Sequence, residues 1–143
     1  MATAGTTALI VGATFSALAA VAHLGCVVLG PRAYRFMGAG EKMARAVEAG
    51  KLQPTLVTLF IAAVLAVWAA YALAGAGVIA PLPLTRMALL AITAVYLGRA
   101  VAFPLLRPAF PENSTKFWLV SSGICLVIAL LHAFGLAARW AEL

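Results

Sequence analysis

Charge is what this chain has least of. Only 10% of its 143 residues are charged, Lys and Arg together 10 and Asp and Glu together 4. Soluble domains carry about 25% charged residues, so a water-facing polar surface over the whole chain is excluded. Cysteine is scarce too. Cys26 and Cys125 both fall inside apolar runs, which excludes a disulfide framework or a cysteine-rich zinc site and leaves two small buried side chains. Motifs for nucleotide, zinc, di-iron or serine-nucleophile chemistry are missing. So are an internal repeat and the paired broken helices of secondary transporters.

Apolar length is what the chain has in excess. Hydrophobic residues make up 65% of it and the mean hydropathy is +1.08. A helix needs roughly 20 apolar residues to cross a bilayer, and four stretches qualify, about residues 8–30, 54–76, 84–106 and 117–139. The predicted fold is all-α: a single domain, 1–143, forming an integral membrane four-helix antiparallel bundle. The first stretch lacks a basic flank and exceeds the usual ~7–15 residues of a signal peptide, so it reads as a retained span.

The net charge of +6 follows the positive-inside rule and calls for no nucleic-acid partner. Arg32, Arg35, Lys42, Arg45 and Lys51 lie in the connection 31–53, and Arg107 and Lys116 lie between the third and fourth stretches. The opposite side holds Arg86 and Arg139. That bias places both long connections in the cytoplasm and both termini outside it. The alanine- and arginine-rich composition suggests a bacterial inner membrane.

Within the long connection, Pro31 stops the first span. Tyr34, Phe36 and Met37 then alternate with Arg32 and Arg35 as expected at a headgroup boundary. Glu41–Ala49 reads as a short interfacial helix stopped by Gly50. Its Glu41, Arg45 and Glu48 share one face by spacing, either solvated or turned toward the cytoplasmic mouth of the bundle. Trp68, Tyr71, Trp118 and Trp140 fit aromatic belts. Pro104 removes a backbone donor and frees the carbonyl of Ala100, so the inner end of span three is expected to kink.

Arg99 is the residue that most needs a partner, because a cation in an apolar run costs a few kcal/mol on insertion scales. With span three drawn to Leu106, helical rise puts Arg99 roughly 10 Å beneath the cytoplasmic boundary, and His23 on span one at about that depth. Arg99 can snorkel to the headgroups, pair with Glu41 or Glu48, or stand as a cationic site for an anionic ligand. His23 is either a packed histidine or a proton donor and acceptor facing an inner cavity. Tyr96 shares the Arg99 face and offers a hydroxyl. His132 lies about 10 Å from the level of His23 along the bundle, which disfavours one haem held by both.

Leu97-Gly98-Arg99, the cluster Arg45 and Glu48 followed by Pro54, and Arg107 between the last two spans are similar to motifs of the MAPEG family, the small four-span membrane enzymes of eicosanoid and glutathione metabolism. Ala46 and Val47 fill the interval where that family's cluster has an asparagine. The resemblance covers the plan of the whole chain. It implies a trimer and a glutathione site opening to the cytoplasm between subunits.

Two functional classes stay open. One is a membrane enzyme or binding protein with a cytoplasm-facing cationic pocket for an anionic amphiphile: a lipid headgroup, a fatty acid or a thiol conjugate. Arg99 would hold the anion, His23 and Tyr96 would handle protons, and Glu41, Arg45, Glu48 and Arg107 would surround the entrance. The other is an accessory subunit whose small-residue helix faces bind partner membrane helices or further copies of the chain. An oligomeric channel or carrier is a third, lesser reading.

Overall fold

The computed structural model describes residues 3–143, and among them there is helix but no strand. Seven α-helices follow one another: α1 Ala4–Leu29, α2 Pro31–Phe36, α3 Glu41–Glu48, α4 Gln53–Gly75, α5 Thr85–Val101, α6 Phe103–Leu106 and α7 Thr115–Ala138. Single 3₁₀ turns follow at Arg107–Ala109 and Trp140–Glu142. Three helices, α1, α4 and α7, are long and apolar enough to cross a membrane, and a fourth span results if α5 and the segment after it count as one bent unit.

The helix ends follow from local chemistry. Thr3 caps α1 by accepting from the Thr6 N–H, and Ser114 caps α7 by accepting from the Phe117 N–H. Proline opens α2 and sits in the first turn of α4, where a missing N–H leaves no bond unmade. Pro31 therefore does more than stop the first helix: it starts a second one, over the stretch that the sequence places at a headgroup boundary. Helix α3 closes as predicted. Gly50, at φ 68°, bonds back to Val47 while Lys51 bonds to Ala46, the pairing of a glycine-terminated helix end.

The largest departure from expectation is at α5. The straight helix stops at Val101, five residues short of the expected Leu106, and the following Phe103–Ala109 segment turns away by 63°. Pro104 explains the break, since it has no N–H for the Ala100 carbonyl. At 17 residues, α5 alone is about 25 Å long by helical rise.

Helix α1 packs along both α4 and α7, α5 packs along α7, and α4 meets α5 more loosely. The first and last long helices run in opposite directions, because Gly5 faces Ala138 and Gly12 faces His132. Leu9, Ala13, Ala72, Leu89, Ile92, Ile128 and Leu136 form the main apolar core between the long helices. A smaller cluster of Cys26, Tyr34 and Ala44 seats α2 and α3 against the end of α1. Tyr34 is buried there and bonds to the Thr58 hydroxyl at 2.9 Å, so it belongs to the packing and not to a headgroup boundary. Gly38 needs to be glycine twice over: its φ is 77°, and a Cβ would run into the Phe117 ring.

Candidate functional site

Two clusters of polar side chains are built into the helices, and the residues singled out by sequence are divided between them and the surface. The first cluster lies at the end of the molecule where α5 stops. Arg99 occupies the last turn of α5, where the helix dipole favours a cation. Its Nη2 donates to the Ser121 hydroxyl at 2.8 Å and its Nη1 to the Ser122 hydroxyl at 3.4 Å. The guanidinium carbon sits 5.2 Å from the centroid of the Trp118 ring, within cation–π range. Trp118 is not a belt residue: it is 2% exposed, packed against Phe110 and Phe117. Its indole N–H is buried with no acceptor among the described residues.

No carboxylate among the described residues pairs with Arg99. Arg35 on α2 bridges Glu41 at 2.9 Å and Glu48 at 2.8 Å, and Arg45 holds Glu41 at 3.2 Å. Glu142 pairs with Arg139 at the opposite end. The acidic face of α3 is half-exposed to exposed, while Ala44, on its other side, is buried. The bond from Arg35 holds the Glu41 carboxyl down to about 2, with burial opposing and Arg45 assisting, and the same bonds raise the Arg35 guanidinium. Arg35 is the member that sequence spacing missed. It comes from the neighbouring short helix, so no i, i+4 relation points to it.

The stopping point of α5 also changes the depth assigned to Arg99. The helix ends two residues beyond it, so the guanidinium is not seven residues inside a straight span. His23 is not its companion. Its Nδ1 hydrogen-bonds the Ala19 carbonyl of its own helix at 2.7 Å, and no hydrogen bond joins it to Arg99 or Tyr96. Arg107 donates to the Thr115 hydroxyl at 2.8 Å and is exposed.

Tyr96 belongs to the second cluster, deep between the long helices. Its hydroxyl shares a 2.7 Å hydrogen bond with the Ser16 hydroxyl of α1. Its ring lies edge-on to Trp68 of α4, with centroids 5.2 Å apart, and beside His132 of α7 at 5.7 Å. All four long helices thus contribute to one knot of polar and aromatic side chains. His132 is completely buried, and its Nδ1 lies 2.8 Å from the Ile128 carbonyl. A carbonyl can only accept, so Nδ1 carries the proton and, in the neutral ring, Nε2 keeps a lone pair. That Nε2 has no partner among the described residues. An unmet buried acceptor costs about 1–3 kcal/mol.

Sequence reasoning weighed His132 only as a haem ligand, against His23. The signal for its true neighbours was present in halves. Gly12 and Ser16 share a face of α1, and Cys125, Ala129 and His132 share a face of α7. Which face meets which is not in either pattern. Among the described residues no group of three or more His, Cys, Asp or Glu could hold a metal ion. Comparison of the chain with protein-family models, curated proteins and solved structures finds no match, so function is argued from these two clusters.

Proposed function

We propose that the chain is a small multi-pass membrane protein whose four long helices form an antiparallel four-span bundle, and that Arg99 holds the anionic head of an amphiphile at its cytoplasmic end. The observation that carries this reading is that, among the described residues, the Arg99 charge is met by neutral groups alone: two serine hydroxyls and an indole face. A guanidinium has five N–H donors, so several remain for a carboxylate or phosphate, whose geometry it matches. Membrane embedding is supported by the apolar residues that α1, α4 and α7 turn outward, such as Val21, Val28, Phe60 and Leu130, each more than half exposed. Soluble proteins rarely expose contiguous apolar patches of more than a few hundred Å².

The ligand class comprises lipid headgroups, fatty acids and thiol conjugates such as glutathione, the last being what MAPEG-like chemistry would use. The half-exposed acid–base face of α3 would lie at the interface beside the site. Mass spectrometry of the protein purified in a nonionic detergent tests the reading. A retained anionic amphiphile that disappears in Arg99→Leu, with the folded yield unchanged, is the expected result. A yield that collapses in Arg99→Leu would instead mark Arg99 as a structural residue.

One observation favours a second reading, an accessory subunit. Gly25, Gly98 and Gly123 lie within helices yet have no atom near the position a Cβ would occupy. Small residues on an outer helix face let a partner helix approach closely in lipid. Co-purification of a partner membrane protein that is lost in Gly98→Leu would favour it.

A further inference from the structure

The ends of the four long helices meet where α5 stops, and each carries a cation beside a large exposed apolar side chain. On α2, which follows directly on α1, Arg32 and Phe36 are four residues apart and so share a face. Lys51 and Leu52 stand together just before α4. Leu105 on α6 is followed by Arg107, in the segment that turns away from α5 by 63°. Lys116 and Leu119 lie about one turn apart at the start of α7. Phe36 is 83% exposed, Leu105 84%, Leu52 66% and Leu119 59%.

These four cations are exposed and their charge is unmatched. The side chains of Arg32, Lys51 and Lys116 make no hydrogen bond or ion pair among the described residues, and the bond from Arg107 goes to the neutral Thr115 hydroxyl. Glu41 and Glu48 are already held by Arg35 and Arg45. Among the described residues of this end, Lys42 on α3 adds one more unmatched cation, and Glu112 is the acid left unpaired. The opposite end differs. There Arg86 donates to the main-chain oxygens of Trp140 and Leu143, and Arg139 is bonded to Gly75, Thr6 and Glu142. Its cations are turned back onto the protein.

We infer that the end where α5 stops is a collar that docks on an anionic lipid leaflet. The exposed apolar side chains enter the acyl boundary and the neighbouring cations meet net-negative headgroups, the division of labour of an interfacial amphipathic segment. The pattern recurs at the end of every long helix, so its partner has to reach all sides of this end at once. A leaflet surrounds the molecule in that way, whereas a single protein partner covers one side. The bend after α5 fits the same arrangement. It swings Phe103–Ala109 away from the line of α5 and leaves Leu105 with little protein to cover it. The inference rests on the membrane-spanning reading and not on Arg99, none of whose donors it uses.

Electron spin resonance of the full chain in phosphatidylcholine vesicles tests it, with spin-labelled phosphatidylglycerol and phosphatidylcholine as probes. The readout is how strongly each probe joins the motionally restricted lipid around the protein. The expected result is a preference for phosphatidylglycerol of about twofold or more at low salt. It should fall toward unity in about 1 M salt, where the screening length is ~3 Å. Arg32→Gln, Lys51→Gln, Arg107→Gln and Lys116→Gln together should abolish most of it. Arg99 stays intact in every variant, so a lipid held there adds equally to each and cancels in the comparison. Arg32→Lys with Arg107→Lys should keep the preference, because surface charge and not guanidinium geometry is at work. The salt series uses the unaltered chain, which covers the case where the fourfold variant does not fold. Restricted lipid without a preference would overturn the inference. So would a preference that persists in high salt or in the fourfold variant, or one that is lost in the Lys variants. No restricted lipid at all would overturn the membrane-spanning reading and this inference with it.

Discussion

Replacing Gly12 by alanine is the sharpest test of how α1 and α7 fit together. An added Cβ would lie 2.7 Å from His132 Cε1 and 2.9 Å from Nδ1. The first distance is about 0.8 Å or more below the 3.5–4.0 Å optimum for carbon pairs. The imidazole has nowhere to retreat: it is 0% exposed, bonded to the Ile128 carbonyl and flanked by the Tyr96 ring. Relief must come from parting the two helices or breaking the Nδ1 bond, at the roughly 1–3 kcal/mol typical of overpacking. Gly25→Ala is the internal control. Nothing lies within 4 Å of its Cβ position, so it should gain up to about 1 kcal/mol in helix propensity. Denaturant or thermal unfolding in one detergent gives both values. In the double variant Gly12→Ala, His132→Ala the clash is gone, so the two changes should cost less together than the sum of each alone. Unchanged stability in Gly12→Ala, or strict additivity in the double variant, would refute the contact and with it the placement of His132.

The remaining predictions concern the other contacts. Tyr96→Phe should lose about 1 kcal/mol by stranding the Ser16 hydroxyl; adding Ser16→Ala should recover part of that, read as a double-mutant cycle in the same unfolding assay. The Glu41 carboxyl, ordinarily near 4.5, is held to about 2 by Arg35. A lowered folded value means that its contribution is present above 4.5 and lost as pH falls toward 2. Hydrogen exchange in α3 should therefore speed up across that window, and in Arg35→Gln the speeding should begin at higher pH. Pro104→Ala restores a donor for the Ala100 carbonyl, so spin labels placed on α5 and after α6 should move apart as the 63° bend opens. No change in that distance would mean that contacts of Phe103–Ala109, and not the proline, hold the bend.

The helices themselves were legible because lipid-length apolar runs and their punctuation are local properties. Pro54 in the first turn of α4, the Gly50 stop of α3 and the Ser114 cap of α7 are each decided within a few residues. Along the α1 face that carries Gly12, Ser16, Ala19, His23, Cys26 and Gly30, the structure buries Gly12, Ser16 and Cys26 and leaves the other three partly exposed. Tertiary structure decided what those faces meet. Arg99 meets two serines and an indole, while the acids on α3 pair with Arg35 and Arg45. Ser16, Tyr96 and His132 converge although they are far apart in sequence, and Arg86 faces a recess completed by the far end of the chain. The physical reason is the same throughout. Periodicity fixes which side of a helix is buried, but partnership depends on the rotation and depth of each helix against the others. Those are set by close packing over the whole molecule, which no local pattern encodes.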